Sequence, residues 1–175
     1  LVVSSRLGLQ FLFTLNGTSW GETDPIFERD LSFYVVSLPF FETLVGLVAG
    51  IVAVSLLIVI IIYVLSGVIG ISNKLQWTPS NLGTKGRPRK HLAVLVCSLL
   101  SISAGMIWLS RYGLLTNGNS AVQNIFGYTD YYARLPVLNL LTGLTLSLAI
   151  STLAVGFKRL TIRVPMVIFA FTVLG

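Results

Sequence analysis

The chain has 175 residues, of which 54% are hydrophobic and 10% charged, with a formal net charge of +6 and a mean hydropathy of +0.87. A soluble domain carries about 25% charged residues to cover its surface, so this composition excludes an ordinary soluble enzyme and a disordered chain. Cys97 is the only cysteine, which excludes a disulfide-framed secreted module. The basic residues sit between apolar runs and not on an amphipathic face, so nucleic acid is not expected as a partner. The expectation is an integral membrane protein whose first partner is the lipid bilayer.

Residues 1–42 precede the first long apolar run. The first 15 residues are mainly apolar, with Arg6 their only charge and Gln10 their only amide, without the basic start or cleavage pattern of a signal peptide. Asn16-Gly-Thr18 fits a glycosylation acceptor pattern, which carries little weight in a bacterial type of protein. Thr23-Asp24-Pro25 reads as a helix start, with Asp24 as N-cap and Pro25 at the first helical position. Glu28 suits the dipole of that first turn. Phe27, Leu31, Tyr34 and Val35 recur at helical spacing until Leu38-Pro39 interrupts them. The pattern predicts a short amphipathic helix at the membrane interface, with Trp20, Phe33, Phe40 and Phe41 beside it.

Residues 43–72 then run without a charge, longer than a bilayer core of about 30 Å requires. A second span is expected over 92–112 and a third over 135–157. Only 12 apolar residues follow in 164–175, the start of a further helix. Continuous apolarity excludes the alternating strands of a membrane barrel. The predicted fold class is therefore all-α: a polytopic helical membrane protein with three full transmembrane helices, a truncated fourth and a short interfacial helix before the first. The opening at Leu1 and the short final run lead to the expectation that the sequence is an internal piece of a longer protein.

Charge divides the connecting segments. The loop 73–91 holds Lys74, Lys85, Arg87, Arg89 and Lys90, and the loop 158–163 holds Lys158, Arg159 and Arg163, with no acid in either. Glu22, Asp24, Glu28, Asp30, Glu42 and Asp130 all fall in 1–42 and in the loop 113–134. The positive-inside rule places the basic loops in the cytoplasm. Lys85, Arg87, Arg89 and Lys90 are also candidates for contact with anionic lipid, at about 1 kcal/mol per basic residue. The localisation expected is a bacterial plasma membrane, or a thylakoid membrane in a cyanobacterium.

Specific phrases carry a resemblance. Asn16 to Val35 followed by Leu38-Pro39 is similar to the pattern "N…FG.TDP.F..DI.FYVF.LP". Arg89-Lys-His-Leu92, Trp108 to Leu115, Tyr128-Thr-Asp130 and Ala133 to Asn139 resemble "R.HL", "YWLDRYELL" and "YTD..ARLPALN". These are phrases of uncharacterised protein family 0182, large bacterial and cyanobacterial multi-pass membrane proteins. Trp20 replaces the pattern's Phe, and Ser110 and Gly113 stand where acids are common, which removes two negative charges beside Arg111. The resemblance implies several N-terminal spans followed by a large domain outside the cytoplasm. The family has no established activity to carry over.

Few residues suggest chemistry. His91 and Cys97 are the only residues of their kinds, too few for a metal site, and no cofactor is expected. No Ser-His-acid set can be assembled, since His91 is assigned to the inner side and every acid to the outer. Gly83 to Lys90 lacks the spacing of a phosphate-binding loop. No enzyme active site is expected in these residues. Arg111, Asp130 and Arg134 form a candidate outer-side charge cluster, read either as an ion or proton relay or as a salt bridge that sets helix register. Gly46 and Gly50 make a GxxxG that permits close helix packing. The spans hold no charge at mid-depth, and only Ser101, Ser103, Thr142, Thr145 and Ser147 offer polar groups there. The leading expectation is a membrane anchor and scaffold, or an accessory subunit docking on other membrane-protein subunits. The alternative is a transporter or channel whose polar pathway lies in other spans.

Overall fold

The computed structural model describes residues 2–17, 19–66, 86–116, 126–157 and 163–174. Helix α1 covers Val2–Asn16, α2 Leu38–Leu65, α3 Gly86–Thr116, α4 Leu135–Gly156 and α5 Arg163–Leu174. Among the described residues the only extended pairing is an isolated bridge between Thr23 and Asp30, so the fold is all-α. Among these residues three continuous helical stretches are long and apolar enough to cross a membrane: Phe33–Leu65, Arg87–Thr116 and Asp130–Gly156. Arg163–Val173 is a shorter apolar helix.

The helices begin before the uncharged runs, and residues 67–72 of the first expected span lie outside the described residues. The first begins at Phe33, not Thr43, and takes in Glu42. The second begins before Arg87 and continues past Arg111, so Arg87, Arg89 and Lys90 lie on its first turns and not in a loop. Charged residues fit at helix ends because long side chains carry their heads toward water while their stems cover apolar surface. Pro88 and Pro165 fall in the first turns of α3 and α5, where a missing N–H leaves no intrahelical bond unmade.

Pro39 and Pro136 lie deeper, and each is preceded by a widened turn. Residues Phe33–Ser37 and Asp130–Arg134 are π-helical, with Leu38 N–H donating to Phe33 O and Leu135 N–H donating to Asp130 O. A proline ring clashes with the carbonyl four residues back in a regular α-helix. A π turn shifts that carbonyl and absorbs one residue, so the helix continues through Leu-Pro. The interruption expected at Leu38-Pro39 is therefore a change of helical pitch and not a break.

The helix expected to start at Asp24 is one turn long. Asp24 does cap it, accepting from Ile26 N at 2.7 Å and Phe27 N at 2.8 Å. The turn spans Pro25 to Phe27 and ends because Glu28 takes a left-handed φ of 53°. Asp24 N–H then donates to Arg29 O at 2.9 Å, and the chain doubles back.

The residues divide into two compact units. The first comprises Leu1–Leu47 and Gly105–Leu140. Its core is Tyr34, Leu38, Leu109 and Tyr112, with Phe27, Phe33, Val45 and Leu115 packed around it. Within it α1 lies against the π turn before α2, and the Phe11 and Phe40 rings are 5.9 Å apart.

The second unit comprises Val48–Ala104 and Leu141–Gly175, and its buried residues are mostly small. Ala104, Leu148, Ala149, Ser151 and Gly156 are buried. A side chain at Gly156 would collide with the Ala93 Cβ, so this glycine marks a close approach of α3 and α4. By contrast, a Cβ at Gly46 would lie 4.0 Å from Met106 Cε, and one at Gly50 would meet nothing within 4 Å. Gly156→Leu is expected to lower the stability of the full-length protein in detergent by about 1–3 kcal/mol through overpacking. Gly50→Ala is expected to leave thermal unfolding unchanged or slightly raised. Equal melting of the two variants would remove Gly156 as a contact point.

Candidate functional site

The first unit contains two carboxylates enclosed by donors and one arginine enclosed by rings. Asp24 is 5% exposed. Besides the two capping bonds it accepts from Arg29 N at 3.1 Å and from the Tyr34 hydroxyl at 2.6 Å. Burial pushes its carboxyl upward, but these donors outweigh burial and hold it below its ordinary 3.8. Asp30 sits across the same reversal and accepts from the Ser19 hydroxyl, Trp20 N at 3.2 Å, Gly21 N at 3.1 Å and Ser32 N at 2.8 Å. The hydrogen bonds from Ser19 and Ser32 hold its carboxyl well below the usual carboxylate range. Gly21 at φ 78° lets the backbone turn so that its N–H points at Asp30.

Arg111 is held by aromatic faces. Its guanidinium carbon lies 4.2 Å from the Trp108 ring centroid, 4.7 Å from Tyr112 and 5.7 Å from Phe27. Nη2 donates to the Tyr112 hydroxyl at 2.8 Å, while the buried Nε has no hydrogen-bond partner. Such stacking suits the planar, weakly hydrated guanidinium. The expected cluster is thus divided: Asp130 pairs with Arg134 at 3.1 Å, and among the described residues Arg111 makes no ion pair.

Asp130 is 1% exposed and also accepts from Gly127 N at 3.1 Å. Asp130 N–H in turn donates to Gly127 O at 3.0 Å, a reciprocal cap on the helix that begins at Tyr128. Arg134 lines a cavity of about 410 Å³ together with Ser110 and Leu114 of α3. Gly113, where the family pattern has Glu, lies beside Glu42: a Cβ there would be 3.9 Å from Glu42 Oε1. An acid at 113 would therefore face a like charge.

In the second unit Arg89 donates from Nη2 to Val155 O at the end of α4, where a cation suits the unpaired carbonyls. Arg87 and Lys90 are exposed, with Lys90 Nζ 5.1 Å from the Phe157 ring centroid. Lys85 lies outside the described residues. His91 Nδ1 is 2.9 Å from the Tyr63 hydroxyl. Among the described residues no three His, Cys, Asp or Glu side chains gather in the manner of a metal site.

The Asp24–Tyr34 bond and the aromatic cage around Arg111 were not anticipated from sequence. The second had a visible signal, because Trp108 precedes Arg111 and Tyr112 by one helical turn. The first joins residues ten apart across a backbone reversal that no periodicity announces.

Comparison with known proteins is consistent in one direction. Residues 2–175 match the family model described as "Uncharacterised protein family (UPF0182)". Similar curated proteins include a UPF0182 protein of Pelobacter propionicus, 31% identical over 170 residues that cover 95% of this chain and 18% of that protein. One from Synechococcus sp. is 34% identical over 154 residues, 88% of this chain and 17% of that protein. One from Geobacter sulfurreducens is 34% identical over 168 residues, 94% of this chain and 18% of that protein. The chain thus spans less than a fifth of the length of these relatives. No solved structure matches it.

The folded turn holds Asp24 below 3.8, so its contribution to stability is complete above that pH and is lost as pH falls through the lower folded value. Asp24→Asn is expected to cost about 1.5–3 kcal/mol at neutral pH, the range for a hydrogen bond to a charged group. Acid titration of the unfolding midpoint should also become flatter in this variant. An unchanged midpoint at pH 7 would show that the carboxylate does not anchor the turn.

Proposed function

The chain belongs to the uncharacterised family UPF0182, and we propose that it is a multi-pass membrane anchor and scaffold on which a larger bacterial membrane assembly is built. The observation that carries this reading is the surface of α2. The most apolar window of the Phe33–Leu65 span has 0% of its residues buried, and Ile51, Val54, Leu57, Ile58 and Ile62 are all at least half exposed. Water does not support a continuous apolar face of this length. Lipid and further helices are the surroundings that satisfy it.

The charge distribution supports an orientation. Arg87, Lys90 and Arg163 are exposed at the starts of α3 and α5, which fits a cytoplasmic, anionic-lipid-facing side in the plasma membrane. The capped turn at Asp24 and Asp30 would then lie outside and fix the first span. In this role the chain is not a catalyst. Its chemistry consists of holding helices in place.

A photo-crosslinking amino acid at Leu57 or Ile58 of the full-length protein tests the proposal in cells. The expected result is a discrete adduct with a partner membrane polypeptide, together with no saturable solute flux through proteoliposomes of the purified protein. Saturable flux that Asp130→Asn abolishes at unchanged expression would overturn the scaffold in favour of a transporter.

A further inference from the structure

The first unit contains an apolar groove that neither the scaffold reading nor the family explains. It measures about 360 Å³ and is walled by Phe41 and Val45 of α2 and by Gly105, Trp108 and Leu109 of α3. Arg29 is the one charged residue that lines it. The α3 wall lies in the last turns of its span and the α2 wall in the first turns of its own, so the groove is at the depth where apolar chains give way to headgroups.

Two features of the groove point to its occupant. The first is uncommitted positive charge. Arg29 lies over the Phe33 ring at 5.8 Å and makes no ion pair among the described residues. Two of the neighbouring acids are already taken, Asp24 by Tyr34 and three backbone amides and Asp30 by Ser19 and three more, and the exposed Glu28 makes no ion pair with Arg29. The second feature is room. A Cβ on Gly105 would meet nothing within 4 Å, so the wall is open where a side chain would otherwise fill it.

From this combination we propose that the groove is a phospholipid site, with one acyl chain lying along Val45, Gly105 and Leu109 and the phosphate held by Arg29. A slot with apolar walls and a guanidinium among its lining groups is complementary to an amphiphile with an anionic head. That guanidinium favours an anionic phospholipid over a zwitterionic one, since it is weakly hydrated and matches phosphate geometry. The site presupposes the membrane placement proposed above but not the scaffold role.

The test uses the full-length protein in proteoliposomes containing a trace of phosphatidylglycerol with a diazirine in its acyl chain. After photolysis, labelled positions are mapped by mass spectrometry. Labelling is expected to concentrate in the peptides around Phe41–Val45 and Gly105–Leu109. Gly105→Leu, which fills the slot, should lower that labelling about tenfold while leaving labelling at the exposed Leu57 and Ile58 intact. Unlabelled phosphatidylglycerol should compete about fivefold better than phosphatidylcholine, as one basic contact near the surface allows, and Arg29→Gln should remove the difference.

Even labelling along both helices, unaffected by Gly105→Leu, would overturn the site and leave only ordinary bilayer contact. A peak in the groove that shows no headgroup preference and ignores Arg29→Gln would overturn the phosphate assignment. Absence of label from every span would overturn the site together with the membrane placement. Because Arg29 is exposed, its variant keeps the test valid even if Gly105→Leu fails to fold.

Discussion

The start of the first span depends on one buried carboxylate. Removing a carboxylate from water costs several kcal/mol unless its oxygens are met by donors. Asp24 meets this condition with four: three amides from its own turn and the Tyr34 hydroxyl from the π turn before α2. The amides fix the reversal, and the hydroxyl ties that reversal to the helix. Tyr34 in turn is packed against Phe33 and Tyr112, with ring centroids 5.4 Å and 6.4 Å away. A single group therefore sets both where the helix begins and which of its faces meets α3. The enclosure of Arg111 by Phe27, Trp108 and Tyr112 follows from the same placement, because Phe27 belongs to the turn that Asp24 caps.

Proline imposes a second constraint, and the chain meets it twice in the same way. Ser37-Leu38-Pro39 and Arg134-Leu135-Pro136 each follow a five-residue π turn. In both, the leucine N–H reaches back to the first residue of the turn, Phe33 in one and Asp130 in the other. The widened turn makes room for the ring without ending the helix. Each segment also carries a Thr-Asp pair whose acid is buried and caps local backbone, Thr23-Asp24 and Thr129-Asp130. The Leu-Pro steps at 38–39 and 135–136 thus have the same local solution to one steric problem.

This explains what could be read in advance and what could not. The all-helical class and the three long apolar helices among the described residues follow from runs of apolar residues, which directly reflect the cost of exposing backbone and charge. The limits of α2 and α3 do not, because counting uncharged residues stops at Glu42 and Arg111 while the backbone continues as a helix through both. Asp24 was legible as a cap, but the left-handed Glu28 that ends its turn has no signature in a glutamate. Arg111 next to two apolar runs suggests an ion pair, yet its surroundings are the ring three residues before it, the ring of the next residue and one on another segment. Gly156 makes the close helix approach, although it belongs to no GxxxG, because packing depends on what faces the glycine.

Five hydroxyls in the long apolar helices have a common fate. Ser98, Ser103, Thr145, Ser147 and Ser151 each donate to a carbonyl three or four residues back in their own helix, at 2.7–2.9 Å. Such bonds satisfy a hydroxyl without calling on a partner helix or a solute. A polar pathway needs the opposite, with donors and acceptors directed across a cavity toward what passes. In the described spans the carboxylates and guanidinium groups sit toward helix ends, and these hydroxyls are turned inward on their own backbone. At these five positions the helices turn no free hydroxyl toward a neighbour, and what they offer there is shape and apolar area. Those are the properties by which helices recognise one another and lipid.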